Sequence, residues 1–523
     1  MLLKDHDLLQ IDEPYLNALG RPQLLSVSVK LLKDLKESRE RLNQNPSNSS
    51  RPPSSQPPWV GPDVDEDDEA GKEARDPQEN DASNPDGKGD QENQDQEAKE
   101  ADGSRNPSPP GRKAGKQEGS PGHGRTQKLP ITGEVSHRAE QCAACGRGFD
   151  EDATFVPRTG FFVLDIKLGN EESPGLDVSN EKQLYGDTIC PCGHVTRTMP
   201  ERCPPDSQWN VELTPWRLVG PMLVSLICCL SMRMRLSRPR IRELLSEWLS
   251  LRLSTGTIHQ CIHEAGRAVS PLEEQLIEEV RKSKLLHIDE TGWKEKAKAL
   301  WLWVVVTSQV ALYVIGSRKS ETIEKILGTD FSGWIMTDGY QVYRQYTNRL
   351  RCWTHLLRKA RGLKESLDEK PRAFGVKTYD VLTTLMEAIY QARDAPGEDL
   401  CETYAPLLHD FCQVCTDHWD ASHEKTRQLA REFLHDWDAI FRVLEHPELP
   451  LTNNEAELML RFWVISRKIC YGTRTPQGSR TFALLASVID TCRKREINAW
   501  VYLASVISER RHGRIAPPIP SAI

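Results

Sequence analysis

A mixed α/β fold with smaller domains appended to it is what the sequence predicts, and three observations predict it. Between Lys284 and Lys364 short β-rich runs alternate with helical stretches, upstream two cysteine pairs are separated by 44 residues, and downstream the stretch 364–450 is helical. With 523 residues against about 100–200 per domain, the chain has room for several domains and a sizeable core. A single small binding module is excluded.

The sheet is read from its runs in order. Lys284 to Ile288 is an apolar run ending in Asp289-Glu290-Thr291. Leu300 to Val306 and Val310 to Ile315 are β-rich runs joined by Thr307-Ser308-Gln309, which predicts adjacent antiparallel strands. Lys319 to Leu327 reads as a helix, Trp334 to Thr337 as a strand ending in Asp338-Gly339, and Leu350 to Trp353 as a further strand, with a helix from His355 onward. Strands and helices in this order make an α/β layer with a mixed sheet.

Before this layer the character of the chain changes several times. Leu24, Leu25, Leu31, Leu32, Leu35 and Leu42 lie among Lys, Glu and Arg, so residues 1–42 are expected to hold an N-terminal helix with the spacing of a short coiled coil. From Asn43 to Pro130 lie 13 of the 34 prolines, and between Gly61 and Gln127 Val64 is the sole V, I, L, M, F, W, Y or C residue. Such a stretch buries too little apolar surface to offset chain entropy, so a disordered proline-rich and acidic linker is expected over 43–130. Gly61 to Asp102 carries 17 acidic and 4 basic residues; since the whole chain has net charge −8, the remainder is mildly basic. The acidic block is a solvated tail or an electrostatic mimic of nucleic acid.

Fourteen cysteines in a long chain whose first residues mix charges into every apolar run do not read as a disulfide framework, and a reducing cytoplasm is expected. The apolar stretch Leu218 to Met232 contains Pro221 and, at 15 residues, falls short of the roughly 20 a bilayer span needs. It is expected to be a buried helix.

Cys142-Ala-Ala-Cys145 followed by Cys190-Pro-Cys192 places two thiolate pairs on two tight turns, and four thiolates close a tetrahedral structural Zn²⁺ site. Cys142, Cys145, Cys190 and Cys192 are the expected ligands, with His194 or Cys203 as the replacement for one of them. Cys412, Cys415 and His418 have similar spacing in a helical stretch, where such spacing describes one helix face rather than a metal site.

Ser237 to Trp248 and Thr257 to Ala265 read as two helices with caps at Ser237 and at Ser254 or Thr255, a helix-turn-helix pattern. Arg238, Arg240 and Arg242 at the entry to the first helix point to DNA.

The chemistry is expected on the sheet. If the strands ending at Asp289 and Asp338 are neighbours, their carboxylates converge and need a cation, and oxygen ligands select Mg²⁺ or Mn²⁺. From Gly339 to Lys364 there is no acid, yet Arg344, Arg349, Arg351, Arg358, Lys359, Arg361 and Lys364 are present, which suits a polyanion beside the metal. A third carboxylate comes from Leu451-Thr-Asn-Asn-Glu-Ala-Glu457, which starts a helix capped at Thr452 or Asn453; Glu455 competes with Glu457 for the role. Arg461, Arg467 and Lys468 follow on that helix.

Taken together, NSSRPPSS, the two cysteine knuckles, HIDETGW, TDGYQVY, CWTHLLRKAR and LTNNEAELMLRFWVISRK, in this order, resemble the DDE transposases of the insertion sequence 66 family. The resemblance implies an RNase H-like catalytic core with a helical insertion, an upstream zinc-binding domain and helix-turn-helix region, and recognition of transposon ends. Motif by motif, it puts the catalytic triad on Asp289, Asp338 and Glu457. Gly292, Leu458 and Phe462 depart from the residues common in the family, and none of the three removes a triad carboxylate.

The implied chemistry is phosphoryl transfer by two Mg²⁺ or Mn²⁺ ions about 3.5–4 Å apart, Asp289 bridging both and Asp338 and Glu457 completing one shell each. Hydrolytic cleavage at the element end is followed by attack of the freed 3′-hydroxyl on target DNA. His355 and Arg461 are candidates for positioning phosphate oxygens, and Arg238, Arg240, Arg242, Arg358, Lys359, Arg361, Arg461, Arg467 and Lys468 for binding DNA. The domains are then 131–212 (zinc-binding), 213–280 (helix-turn-helix), 281–363 and 451–523 (the two parts of the core) and 364–450 (the insertion). A homodimer or higher oligomer on transposon ends and target DNA, accessory proteins encoded by the same element, no membrane association, and a cytoplasmic, nucleoid-associated location complete the expectation. The alternative is a catalytically inactive zinc-containing DNA-binding regulator derived from a transposase.

Overall fold

The computed structural model describes residues 3, 5–45, 48, 129–150, 153–394 and 399–521, all in one unit made of 1–56 and 128–523. The expected disordered linker lies almost entirely outside the described residues.

At the N-terminus three helices, α1 (Asp5–Gln10), α2 (Glu13–Ala18) and α3 (Arg21–Leu42), replace the single expected one. Asp12 caps α2 by accepting from the Tyr15 N–H, which breaks the path into a new helix. Leu25, Leu32, Leu35 and Leu42 of α3 are exposed. The helix docks through polar groups instead: Ser366 Oγ donates to Glu40 at 2.6 Å, and Lys36 pairs with Asp368.

A four-stranded sheet follows, made of β1 (Gly133–His137), β2 (Phe155–Leu168), β3 (Leu176–Ile189) and β4 (Val195–Arg197). β3 is central, parallel to β1 and antiparallel to β2 and β4.

The helical region comprises α4 (Pro221–Met232), α5 (Arg238–Trp248), α6 (Thr255–Val269) and α7 (Leu272–Arg281). The apolar stretch read as a buried helix is α4, with Leu223, Val224, Ile227 and Cys228 fully buried and Pro221 in its first turn, where a missing N–H costs nothing. No helix among the described residues is long and apolar enough to cross a membrane. Ser254 caps α6 by accepting from the Thr257 N–H at 3.0 Å, whereas Ser237 starts α5 without a side-chain cap.

The larger sheet contains β5 (Leu285–Glu295), β6 (Lys298–Val306), β7 (Ala311–Gly316), β8 (Trp334–Thr337) and β9 (Arg349–Arg351), in the order β7-β6-β5-β8-β9. β7, β6 and β5 are antiparallel neighbours, while β5, β8 and β9 run parallel. Helix α8 (Ser320–Leu327) bridges β7 and β8, and α9 (Trp353–Lys364) follows β9. Two differences from the expectation matter. β5 does not end at Asp289 but continues to Glu295, because β6 pairs with it from His287↔Val306 to Glu295↔Lys298 whereas β8 pairs with it over 285–287 alone. The helix α9 also begins two residues early, at Trp353, whose indole donates to the Ile440 carbonyl inside the insertion.

The insertion is helical: α10 (Glu369–Asp394), α11 (Leu400–Thr403), α12 (Ala405–Asp417), α13 (Glu424–His435) and α14 (Trp437–Phe441). Its core holds Phe374, Leu382, Leu385, Phe411, Phe433 and Phe441 and is continuous with Met336, Leu350, Trp353 and Leu356 of the sheet layer. The chain then returns to the main core through α15 (Asn454–Cys470), α16 (Pro476–Lys494) and α17 (Ala499–Arg511).

Candidate functional site

The register of the parallel pair sets the geometry. His287 lies opposite Met336, so two residues on Asp289 comes level with Asp338, the first residue beyond β8. Alternation along a strand puts His287 and Asp289 on one face and Ile288 and Glu290 on the other. The chain turns sharply after β8: Asp338 Oδ1 accepts from the Tyr340 N–H at 3.0 Å, and Gly339 has φ +99°. A Cβ at Gly339 would stand 2.1 Å from the Arg351 guanidinium carbon, so the position is restricted both by conformation and by space.

Helix α15 is held against this edge from its first residues. Asn453 is fully buried; it does not cap the helix with its side chain but donates from Nδ2 to the Ile288 carbonyl at 2.8 Å and faces His287 Nδ1 at 3.3 Å. Further along, Arg467 donates to Thr291 Oγ1 at 2.9 Å and to the Gly292 carbonyl, so both ends of α15 are fastened to β5. Glu457 stands one turn into the helix, with Oε1 3.8 Å from His355 Nδ1. Glu455 is turned away, exposed and paired with Lys494 at 3.1 Å. Glu457, not Glu455, is the glutamate whose charge acts on Asp289 and whose carboxylate lies beside His355.

Among the described residues the three acids do not gather their oxygens within 4.8 Å of one another; what links them is electrostatic. Burial, followed by the negative charge of Asp338 and Glu290 and then of Glu457, pushes the Asp289 carboxyl well above its usual range. Among the described residues neither Asp289 nor Asp338 forms a salt bridge with Lys or Arg, and Glu457 Oε1 is buried without a hydrogen-bond partner. Oxygen donors such as Asp289 and Asp338, with no Lys or Arg salt bridge among the described residues, fit a hard divalent cation. Glu290, on the opposite face, is differently treated: it accepts from Arg318 at 3.0 Å and from the Tyr343 hydroxyl at 2.8 Å. Burial first, and then Asp338, still raise its carboxyl.

Beside Glu457 lies the pair Cys352 and His355; sequence reasoning points to His355 alone, and the spacing Cys352-Trp-Thr-His355, at the start of one helix, is the signal that could have found Cys352. Burial would raise the Cys352 thiol, yet contact with His355 and the Asn453 N–H, 3.3 Å from its sulfur, hold it below the usual value. Burial likewise opposes a charged His355, and Cys352, Glu457 and Asp338 outweigh it to raise the imidazole.

The predicted basic surface is divided by the structure. Arg344 and Arg349 bond to Asp436 at 3.2 and 2.8 Å, Arg351 bonds to Asp436 and Glu432, and Lys359 bonds to both Glu432 oxygens at 2.7 and 2.8 Å. This corrects the reading of 339–364 as one polyanion-facing run, because four of its cations tie the insertion to the sheet. Arg361 lies against Tyr379, 5.8 Å from the ring centre, and Arg358 is half-buried. Arg461 and Lys468 are exposed on α15, and Arg238, Arg240 and Arg242 are exposed on the first turns of α5. Helix α6 is buried from Cys261 to Val269, so its first turns, with His259 and Gln260 exposed, are what it offers outward.

The second cluster is compact. Cys142, Cys145, Cys190 and Cys192 bring their sulfurs within 4.8 Å of one another, with Cys142···Cys192 and Cys145···Cys190 both at 3.7 Å. A tetrahedron with Zn–S bonds of about 2.3 Å has edges of about 3.8 Å, so the cluster could bind zinc. Gly146 (φ +70°) and Gly193 (φ +83°) close the two turns. Backbone N–H groups of Cys145 and Ala144 hold the Cys142 thiol down to about 6. Cys203 is elsewhere, its sulfur accepting from Arg267 at 3.1 Å, and His194 is not among the clustered ligands. Cys412 and Cys415 lie on α12, and His418 Nδ1 lies 2.8 Å from the Val414 carbonyl oxygen; they form no metal-holding group among the described residues.

Residues 217–481 match the family model described as the transposase IS66 family, just over half of the chain. Two curated relatives come from Sinorhizobium fredii. The uncharacterised protein y4jO is 24% identical over 156 residues, 30% of this chain and 47% of its own length. The uncharacterised protein y4qI is 21% identical over 298 residues, 50% of this chain and 54% of its own. The chain spans about half the length of the curated relatives it matches.

Proposed function

We propose that this chain, which belongs to the transposase IS66 family, is a DNA transposase that binds the ends of its insertion sequence and cleaves and joins DNA strands through Asp289, Asp338 and Glu457. One observation carries the reading: Asp338, beyond a strand parallel to that of Asp289, and Glu457, on a helix clamped to β5, both act on the buried Asp289 carboxyl and raise it. The order of three antiparallel strands followed by two parallel ones supports assigning this layer as the RNase H-like core that the family resemblance implies.

Divalent ions, Mg²⁺ or Mn²⁺, when bound by these carboxylates, supply the Lewis acidity that activates the attacking oxygen and stabilises the leaving one. The chain itself orients the reactants. Asn453 fixes the height of α15 on β5 and so the reach of Glu457, and the turn at Gly339 aims Asp338 at the same edge. Arg461, exposed one turn beyond Glu457, is placed to hold a DNA phosphate, and the arginines of α5 to bind the element end. The four-cysteine cluster would hold a structural Zn²⁺. Because two ends must be brought together, the working form is a homodimer or higher oligomer, in the cytoplasm at the nucleoid.

The test is cleavage of a supercoiled plasmid carrying the element's ends in Mg²⁺. The wild type should cut at the ends and join the freed 3′-hydroxyl to a target strand. Asp289→Asn should still shift an end-bearing duplex in a gel but cut at background level; retained cutting would refute the site. End binding by a wild type that never cuts would favour the DNA-binding regulator instead.

A further inference from the structure

We propose that Cys352, His355 and Glu457 form a second, soft-metal site that binds Zn²⁺ and, by taking Glu457 out of the carboxylate triad, shuts the enzyme off; this rests on the function proposed above. The three residues each offer one ligand atom, and these atoms lie within 4.8 Å of one another. Two of them come from the start of α9, where i and i+3 share a face, and the third from the first turn of α15.

Two orphan atoms point into the gap. His355 Nδ1 and Glu457 Oε1 are buried without hydrogen-bond partners and stand 3.8 Å apart. Two ligand atoms each about 2.0–2.1 Å from one tetrahedral ion lie about 3.3 Å apart, so a small closure of this pair would let both bind the same metal. The third wall is the Cys352 sulfur, fully buried and fixed by the Asn453 N–H.

Donor chemistry decides the ion. A thiolate and an imidazole favour Zn²⁺ over Mg²⁺, whereas the acids around Asp289 offer oxygen alone and favour Mg²⁺. Binding releases the Cys352 thiol proton to solvent and leaves a fourth position for water, the pattern of an open three-ligand zinc site. Glu457 is the shared ligand, so occupancy of the two sites is competitive. Zinc would therefore act at concentrations far below those of Mg²⁺, without touching Asp289 or Asp338.

The experiment uses the full-length protein with its four-cysteine cluster already zinc-loaded. ZnCl₂ is titrated against a chromophoric zinc indicator, and end cleavage is measured in parallel at fixed Mg²⁺. Wild type should take up one more equivalent than either Cys352→Ala or His355→Ala. Its cleavage should be inhibited by zinc, with the half-inhibiting concentration raised at least about tenfold in both variants, each referred to its own zinc-free rate. Having two variants guards against a folding defect at the buried cysteine, because His355 is partly exposed. Equal zinc uptake by all three proteins would overturn the site. An extra equivalent bound without inhibition would overturn the regulation. If the wild type never cleaves, the transposase reading fails while the zinc count still decides whether the site exists.

Discussion

Asp436 and Asp289 are both carboxylates set against the five-stranded sheet, and the chain surrounds them in opposite ways. Asp436 is 1% exposed and takes hydrogen bonds from Arg344, Arg349 and Arg351; against the cost of burial, these cations hold its carboxyl below the usual value. Glu432 beside it is treated likewise by Lys359 and Arg351. Among the described residues Asp289 forms no salt bridge with Lys or Arg, and its neighbours Asp338, Glu290 and Glu457 repel it. The first arrangement completes itself within the fold. The second leaves a carboxyl raised by burial and by its acidic neighbours, the electrostatic setting that the proposed cation site calls for.

The largest effect should come from breaking the compensated side. Asp436→Asn leaves three guanidiniums facing a neutral amide, and removing one partner of a buried ion cluster costs about 3–5 kcal/mol. At about 2–4 °C per kcal/mol for a domain of roughly 150–250 residues, the melting temperature should fall by about 10 °C. The pH dependence has a defined sign. A carboxyl depressed in the folded state contributes its full stability above its unfolded value and loses it as pH falls through the folded one, so the gap between variant and wild type should close below about pH 4. A gap unchanged between pH 7 and pH 3 would sink the ion-cluster account.

Asp289→Asn should act in the opposite direction. A carboxyl raised in the folded state costs nothing at low pH, and its penalty develops as pH rises from the unfolded value through the folded one. In the absence of divalent cations the variant should therefore melt higher than wild type, by about 2–4 °C for each kcal/mol of repulsion relieved, with a difference that grows with pH. Parallel pH profiles for the two substitutions would erase the contrast between the sites. Adding Mg²⁺ sharpens it further. At a free concentration of about 100 times Kd, wild type should gain about 2.7 kcal/mol, Asp436→Asn should gain the same, and Asp289→Asn should gain almost nothing. A thermal-shift series in MgCl₂ at pH 8 reads all three.

Much of this contrast was legible in the residues, and the part that was not has a physical reason. The strands, the helical insertion and the four cysteines follow from local patterns (alternation, turn dipeptides and ligand spacing), whereas the triad positions come from the family resemblance. What could not be read was which partner a side chain meets across long separations. Lys359 and Arg351 look like part of a basic run until Glu432 and Asp436, more than seventy positions away, are folded onto them. Asn453 looks like a helix cap until its amide is found on the Ile288 carbonyl. Asp289 looks like a strand end because Glu290 and Thr291 are polar, yet β6 carries the ladder on to Glu295. Cys352 carries one local signal, its three-residue spacing from His355.

The smallest predicted effect is the one that fixes the third carboxylate. Glu455 and Glu457 are two residues apart on α15, which turns about 200° between them, so one can face the sheet edge while the other faces away. Glu455 is exposed and paired with Lys494, a contact of the kind worth about 0–1 kcal/mol. Glu455→Gln should therefore shift the melting temperature by no more than about 2–4 °C and leave the Mg²⁺-induced gain intact. Glu457→Gln removes a carboxylate from the uncompensated group and should abolish most of that gain. If the two substitutions exchange these outcomes, α15 must rotate on β5 when the cation binds, and the Asn453 clamp would have to open to permit it.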